Sequence, residues 1–100
     1  MKVNIQSVNF NADRKLLDFV QGRLDKIETF YDRVINADVY LKVENTSLKE
    51  NKIVEIKLNV PKDKFIVKKQ RKSFEEAVDL ACSSLERKVK KMKEIQREKV

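Results

Sequence analysis

Apolar and polar residues alternate with a period of two in three segments of this chain, and each of these segments predicts a β-strand. Val3 and Ile5 alternate with polar neighbours, which predicts a first strand over residues 2–8. Two later segments show the same alternation and predict strands over residues 39–44 and 54–60. A short apolar run of Phe65, Ile66 and Val67 predicts a fourth strand over residues 64–69. The polar segment 45–51 is typical of a hairpin loop between the second and third strands.

A helical spacing of three and four residues separates the apolar positions in the segment after the first strand. Asn11 or Asp13 can cap this helix, which we expect to extend to about Phe30. The stripe consists of Leu16, Leu17, Val20, Leu24, Ile27 and Tyr31. Gly22 lies inside the helix and lowers its intrinsic stability.

A second amphipathic helix follows the fourth strand. Ser73 and Glu76 form a capping box, so the helix begins at about Phe74. Neither Gly nor Pro interrupts it afterwards, and it can extend for about 20–25 residues. Its apolar stripe consists of Phe74, Val78, Ala81, Leu85, Val89 and Met92.

The predicted order of elements is βαβββα, which indicates one α+β domain over residues 1–100. A helix connects the first two strands, so these strands are expected to be parallel neighbours. Since each strand is apolar on one side only, both helices should pack on one face of a four-stranded mixed sheet and leave the other face in water.

The positive charge is concentrated in the last two-fifths of the chain. Residues 62–100 contain 13 Lys or Arg and 7 Asp or Glu, a net charge of +6, whereas residues 1–61 contain 10 and 9, a net charge of +1. Such a field attracts polyanions, of which RNA is the most abundant in a cell. The candidate phosphate-binding residues are Lys68, Lys69, Arg71, Lys72, Arg87, Lys88, Lys90, Lys91 and Lys93.

A simpler interpretation is a solvated helix face whose cations complement the helix dipole. It accounts for part of the second helix but not for the basic run at 68–72. Only Tyr31 and Tyr40 are candidates for stacking on bases, because the five Phe residues fit the core. Recognition of RNA shape and phosphate is therefore favoured over base readout.

The sequence contains no pattern typical of a catalytic site or a metal site. The chain contains no His, and its one cysteine, Cys82, allows neither an internal disulfide nor a zinc cluster and is expected to fill the core. We expect no cofactor. No apolar run is long enough for a transmembrane helix and no signal peptide is seen, which predicts a soluble cytoplasmic protein that does not bind membranes.

Several segments together resemble the ribosome hibernation-promoting factors, also called ribosome-associated translation inhibitors or subunit-interface proteins. The similar segments are Val3-x-Ile5, Leu17-x-Phe19-Val20-x-x-Arg23-Leu24-x-x-Ile27-x-x-Phe30, Val54–Val60 ending at Pro61, Phe74…Ala77-Val78-Asp79, and Leu85-Glu86-Arg87 followed by Lys90-Lys91 and Lys93.

This resemblance implies the fold of a double-stranded-RNA-binding domain and a non-enzymatic role. Members of the family bind the small ribosomal subunit and its rRNA, also within the 70S ribosome. They occupy the channel for messenger RNA and tRNA, inhibit translation under stress and preserve idle ribosomes. By position, the resemblance adds Arg23 and Lys26 to the RNA-binding residues.

Two features differ from the family pattern. The segment before the last helix is commonly acidic in the family but is basic here, at 68–72. Long members also carry a C-terminal dimerisation domain, which we do not expect in this chain, so it should be monomeric away from the ribosome. The alternative to ribosome binding is a general module for double-stranded RNA or for an acidic partner.

Overall fold

The computed structural model describes residues 1–44 and 50–98, with side chains as far as residue 96. Its elements are β1 (Lys2–Val8), α1 (Arg14–Glu28), β2 (Asn36–Val43), β3 (Lys52–Val60), β4 (Asp63–Arg71) and α2 (Phe74–Glu98). The predicted order βαβββα is therefore confirmed. Most of the predicted hairpin loop at 45–51 lies outside the described residues, as does the end of the chain after 98.

The four strands form one mixed sheet in the order β1-β2-β3-β4. β1 is parallel to β2, as the helical crossover requires, and the other two pairs are antiparallel. Ile5 is paired with Val39, Val39 with Ile56, and Ile56 with Val67, so one apolar row crosses the whole sheet. This register directs most apolar side chains of the four strands to the same face.

Both helices cover that apolar face and form the core with it. The α1 stripe buries Leu16, Val20, Leu24 and Ile27. The α2 stripe buries Phe74, Ala77, Val78, Ala81, Cys82, Leu85 and Val89. Burial of these apolar side chains is the main stabilising contribution, at about 25 cal/mol per Å² of surface removed from water.

The two helices run in the same direction, and their contacts establish this. Arg23 of α1 contacts Asp79 and Glu86 of α2, and Phe30, just after α1, contacts Lys93 further along α2. α2 packs on β3 and β4 and, as the chain reverses between β4 and α2, runs opposite to β4. The C-terminal halves of both helices therefore lie at the same end of the molecule as the turn between β3 and β4.

The structure corrects several predicted boundaries. β4 spans Asp63–Arg71 rather than 64–69, and β2 begins at Asn36 rather than at residue 39. α1 ends at Glu28, two residues before the predicted end. β4 is longer at its C-terminal end because Gln70 and Arg71 continue its pairing with β3. Both side chains are polar, so the hydropathy pattern does not mark them as strand residues.

Candidate nucleic-acid interface

The cations in the C-terminal half of α2 lie on three sides of the helix. At 100° per residue, Lys90 and Lys93 lie on the flank next to α1, and Lys88 and Lys91 lie on the opposite flank, towards β4. Arg87 points away from the sheet and is exposed. The helix therefore presents positive charge over a wide arc rather than along one line.

The α1 flank is partly engaged in packing. The Lys93 ammonium donates a hydrogen bond to the backbone oxygen of Phe30. The Lys90 ammonium lies 4.6 Å from the centroid of the Phe30 ring, a cation–π contact. These contacts hold two positive charges beside the C-terminal end of α1, whose last turn contains the exposed Lys26.

The other flank faces the turn between β3 and β4. Lys88 and Lys91 line a groove together with Lys62, which occupies that turn. Lys62 is not among the candidate residues predicted from the sequence. Its position follows from the antiparallel packing of α2 on β4, which brings the turn beside the C-terminal half of α2. We call the cations gathered at this end of the molecule the basic end: Lys26, Lys62, Arg87, Lys88, Lys90, Lys91 and Lys93.

Arg23 lies between the two helices rather than on an open surface, and its side chain is only 16% exposed. Its guanidinium is 2.9 Å from the Glu86 carboxylate and 3.0 Å from that of Asp79, and it donates a hydrogen bond to the Asp79 backbone oxygen. Burial by itself lowers the pKa of Arg23, but the hydrogen bond to Glu86 and the neighbouring negative charges raise it above its ordinary value. Arg23 thus remains charged and joins α1 to α2.

The basic run at 68–72 lies at the opposite end of the molecule from the basic end, and its residues point in different directions. Lys68 is exposed on the open face of the sheet, whereas Lys69, paired with Val54, is on the helix side and half-buried. Arg71 donates a hydrogen bond to the Gln70 backbone oxygen and lies 3.9 Å from the Glu76 carboxylate. Lys72 is exposed just before α2 and about 20 Å from Arg87 along the helix axis.

The open face of the sheet carries the polar side chains that the alternation predicts. Asn4, Gln6 and Lys42 are exposed there, as is Tyr40. The structure adds Ile66, which is 53% exposed on the same face. Cys82 is buried in the core, as predicted. In the described residues, no helix has an apolar stretch long enough to cross a membrane.

Comparisons with known proteins point to one family. A family model described as Sigma 54 modulation protein / S30EA ribosomal protein matches residues 3–97. The chain is 30% identical over 96 residues to a ribosome hibernation promoting factor of Pseudomonas putida. The aligned region covers 96% of this chain and 90% of that protein. It is 27% identical over 95 residues to the ribosome hibernation promotion factor of Bacillus subtilis, but it spans only 49% of that longer protein.

Solved structures show the same fold. A ribosomal subunit interface protein from Coxiella burnetii superposes with a TM-score of 0.82 at 19% identity, over 93% of this chain and 98% of that one. The N-terminal domain of Protein Y from Thermus thermophilus gives a TM-score of 0.79 at 22% identity, over 92% and 99% of the two chains. At these identities the likeness establishes the fold alone.

Proposed function

The chain belongs to the Sigma 54 modulation protein / S30EA ribosomal protein family, and on that premise we propose that it binds the small ribosomal subunit and regulates translation there. The proposed site is the channel that messenger RNA and tRNA use. Occupation of this channel by a folded domain excludes both RNAs without any catalytic step. The proposed role is to inhibit translation under stress and to preserve idle ribosomes.

The observation that carries this proposal is the basic end. Cations from α1, from the β3–β4 turn and from three sides of α2 lie at that one end of the molecule. Asp63 and Glu94 are interspersed among them, so the surface is not of a single sign. Lysine and arginine bind phosphates without reading sequence, and several such contacts supply most of the affinity for a folded RNA.

The shape of the protein supports occupation of a channel. Its principal extents are 51 × 24 × 19 Å, so the molecule is about twice as long as it is wide. Phosphates held by several sides of the basic end would have to come from more than one RNA strand. A cleft between RNA helices offers that arrangement, whereas one face of an isolated duplex does not.

The proposal is tested by cosedimentation with purified 30S subunits and 70S ribosomes, in the presence of a long duplex RNA as competitor. We expect the chain to migrate with the 30S subunit and to remain there when the duplex is added. Equal loss to any duplex would contradict the proposal and would favour a general binder of double-stranded RNA.

Charge reversal tests which surface is used. The triple variant Arg87→Glu, Lys88→Glu and Lys91→Glu should lower 30S affinity by about two orders of magnitude or more, because it replaces phosphate-binding cations by repelling carboxylates. These three side chains are exposed, so the fold should persist by circular dichroism.

The matched control is the triple variant Arg14→Glu, Lys15→Glu and Lys42→Glu. It changes the net charge by the same amount at exposed positions away from the basic end. We expect it to lower affinity far less. If the two variants lose affinity equally, overall charge rather than the basic end governs binding.

A further inference from the structure

A groove of about 490 Å³ lies between the C-terminal half of α2 and the turn that joins β3 to β4. Its walls are largely apolar and are formed by Pro61, Phe65, Met92 and Ile95. The sequence pattern places Phe65 in the core, yet in the structure it is only half-buried and lines this groove. Ile95 is 44% exposed and continues this apolar surface.

Positive charge surrounds these apolar walls. Lys62, Lys88 and Lys91 line the groove, whereas Asp63 is the one acidic residue among those that line it in the described part of the chain. The groove therefore combines a surface that favours an apolar or aromatic group with cations that favour a negative one. A volume of this size is in the range of small-ligand sites, which span about 300–1,000 Å³.

The backbone of Lys62 gives an independent indication that this corner has a binding role. Its φ angle is 67°, in the left-handed region. Gly or Asn usually occupies that position of a turn, because a lysine there has a steric cost. The turn by itself therefore does not favour lysine. Strained backbone conformations of this kind cluster at binding sites. Here the strained residue is a lysine whose ammonium group lies beside the groove.

We propose that this groove binds a nucleobase that is unstacked from RNA, with the phosphates on either side of that base held by Lys62, Lys88 and Lys91. The inference rests on the proposed function, since it places the groove within the same RNA interface. The flat base packs against Phe65, Met92 and Ile95. The groove thus adds contact with one base to an interface that otherwise binds phosphates.

Charge distinguishes RNA from other occupants of the groove. A second copy of this chain carries a net charge of +7 and would bring like charge to a basic rim. An acidic peptide fits the rim, but Arg87 and Lys90 extend the positive surface beyond the groove. That continuity matches a chain of regularly spaced phosphates better than a short peptide.

The test is an NMR titration of the intact chain with a single-stranded adenine hexanucleotide and, in parallel, with an abasic ribose-phosphate hexamer of the same charge. We expect the methyl resonances of Met92 and Ile95 to shift with the adenine RNA and to stay in place with the abasic one. Ile95→Gln, which removes part of the apolar wall, should weaken binding of the adenine RNA about fivefold.

The matched control is Ile66→Gln, which changes an equally exposed isoleucine on the open face of the sheet and should leave the affinity unchanged. Equal methyl shifts with the abasic hexamer, or no measurable binding of the adenine RNA, would overturn the proposal. Tighter binding of an acidic leucine-rich peptide at the same methyl groups would also overturn it and would identify a protein partner.

This test is independent of cosedimentation. A chain that binds the 30S subunit while its groove methyl groups do not respond to adenine RNA would retain the proposed function and lose the inference. A chain that shows the base-dependent shifts but does not bind ribosomes would retain the groove as a base site and lose the proposed function.

Discussion

At the scale of single residues, Arg23 shows how a charged side chain acquires a role from its surroundings. On the helical stripe pattern it lies outside the buried row of α1, where a surface cation is expected. In the structure α2 lies against that side of α1 and brings Glu86 and Asp79 to the guanidinium. Contact with RNA through Arg23 stays a prediction, and it requires the guanidinium to exchange or share these partners.

We expect Arg23→Met to lower the free energy of unfolding by about 2 kcal/mol, because the Glu86 carboxylate, 15% exposed, loses its partner. Urea denaturation measures the change. The control is Arg14→Met, which removes an exposed pair with Asp18 and should cost about 0.5 kcal/mol or less. Similar losses in the two variants would mean that the contact between α1 and α2 does not depend on Arg23.

Cys82 is expected to react with thiol reagents only when the protein opens. Burial raises the pKa of this thiol to about 12, and the Glu86 and Asp79 charges act in the same direction, whereas Arg23 opposes them. Labelling with a maleimide at pH 7 should be slow and should accelerate in urea. Rapid labelling of the folded protein would show that the core is open near α2.

The same shift links Cys82 to stability at alkaline pH. The folded-state pKa of about 12 exceeds the ordinary value of 9.0, so the folded state favours the neutral thiol. The stability that the buried thiol contributes to the folded state is complete below about pH 9 and is lost as the pH rises towards 12. Cys82→Ala should therefore show a smaller loss of stability between pH 9 and pH 11 than the unmodified chain.

At the scale of elements, side-chain caps predicted from the sequence mark the N-terminal ends of both helices. The Asp13 carboxylate accepts a hydrogen bond of 2.8 Å from the Leu16 backbone N–H, which selects Asp13 over Asn11 as the cap of α1. The Ser73 hydroxyl accepts one of 3.2 Å from Glu76, so this half of the predicted capping box is present. The Glu76 carboxylate is directed towards Arg71 instead.

Gly22 offers a stabilising substitution within α1. It is exposed, and a Cβ atom added there would meet nothing within 4 Å. Gly22→Ala should therefore raise the free energy of unfolding by about 0.5–1 kcal/mol, because alanine loses less backbone entropy in a helix. Thermal and urea denaturation measure the gain. A loss of stability would indicate a close contact at this position that the structure does not show.

At the scale of the whole molecule, α2 separates two groups of basic residues. The basic end lies where the C-terminal halves of the helices meet the β3–β4 turn, and residues 68–72 lie at the other end. The two groups lie about 20 Å apart along α2, and Lys68 lies on the open face of the sheet, so one flat RNA surface does not contact all of these cations. The contribution of Lys68, Lys69, Arg71 and Lys72 to RNA binding stays a prediction.

Salt dependence measures how many phosphates the whole molecule neutralises. If it neutralises ~6, its affinity for the 30S subunit should fall by roughly three orders of magnitude between 50 and 200 mM monovalent salt. The basic-end triple variant should show a shallower slope, since it makes fewer phosphate contacts. An affinity that does not change with salt would contradict an interface based on phosphates.

The elements of this fold could be predicted from the sequence because they depend on neighbouring residues. The alternation around Ile56 identifies a strand, and the spacing of Leu16, Val20 and Leu24 identifies a helix, with no knowledge of what packs on them. The extension of β4 to Arg71 could not be predicted, because Gln70 and Arg71 are polar and only their pairing with Ile53 and Lys52 of β3 makes them strand residues.

The sequence by itself determined the order of the elements, the side of each that is buried and the excess of positive charge near the C-terminus. Only the tertiary structure decided which of those charges meet. Arg23 and Glu86 are 63 residues apart in the chain, as are Phe30 and Lys93. Such pairs depend on the way the helices pack on a shared sheet, and local periodicity contains no information about that packing.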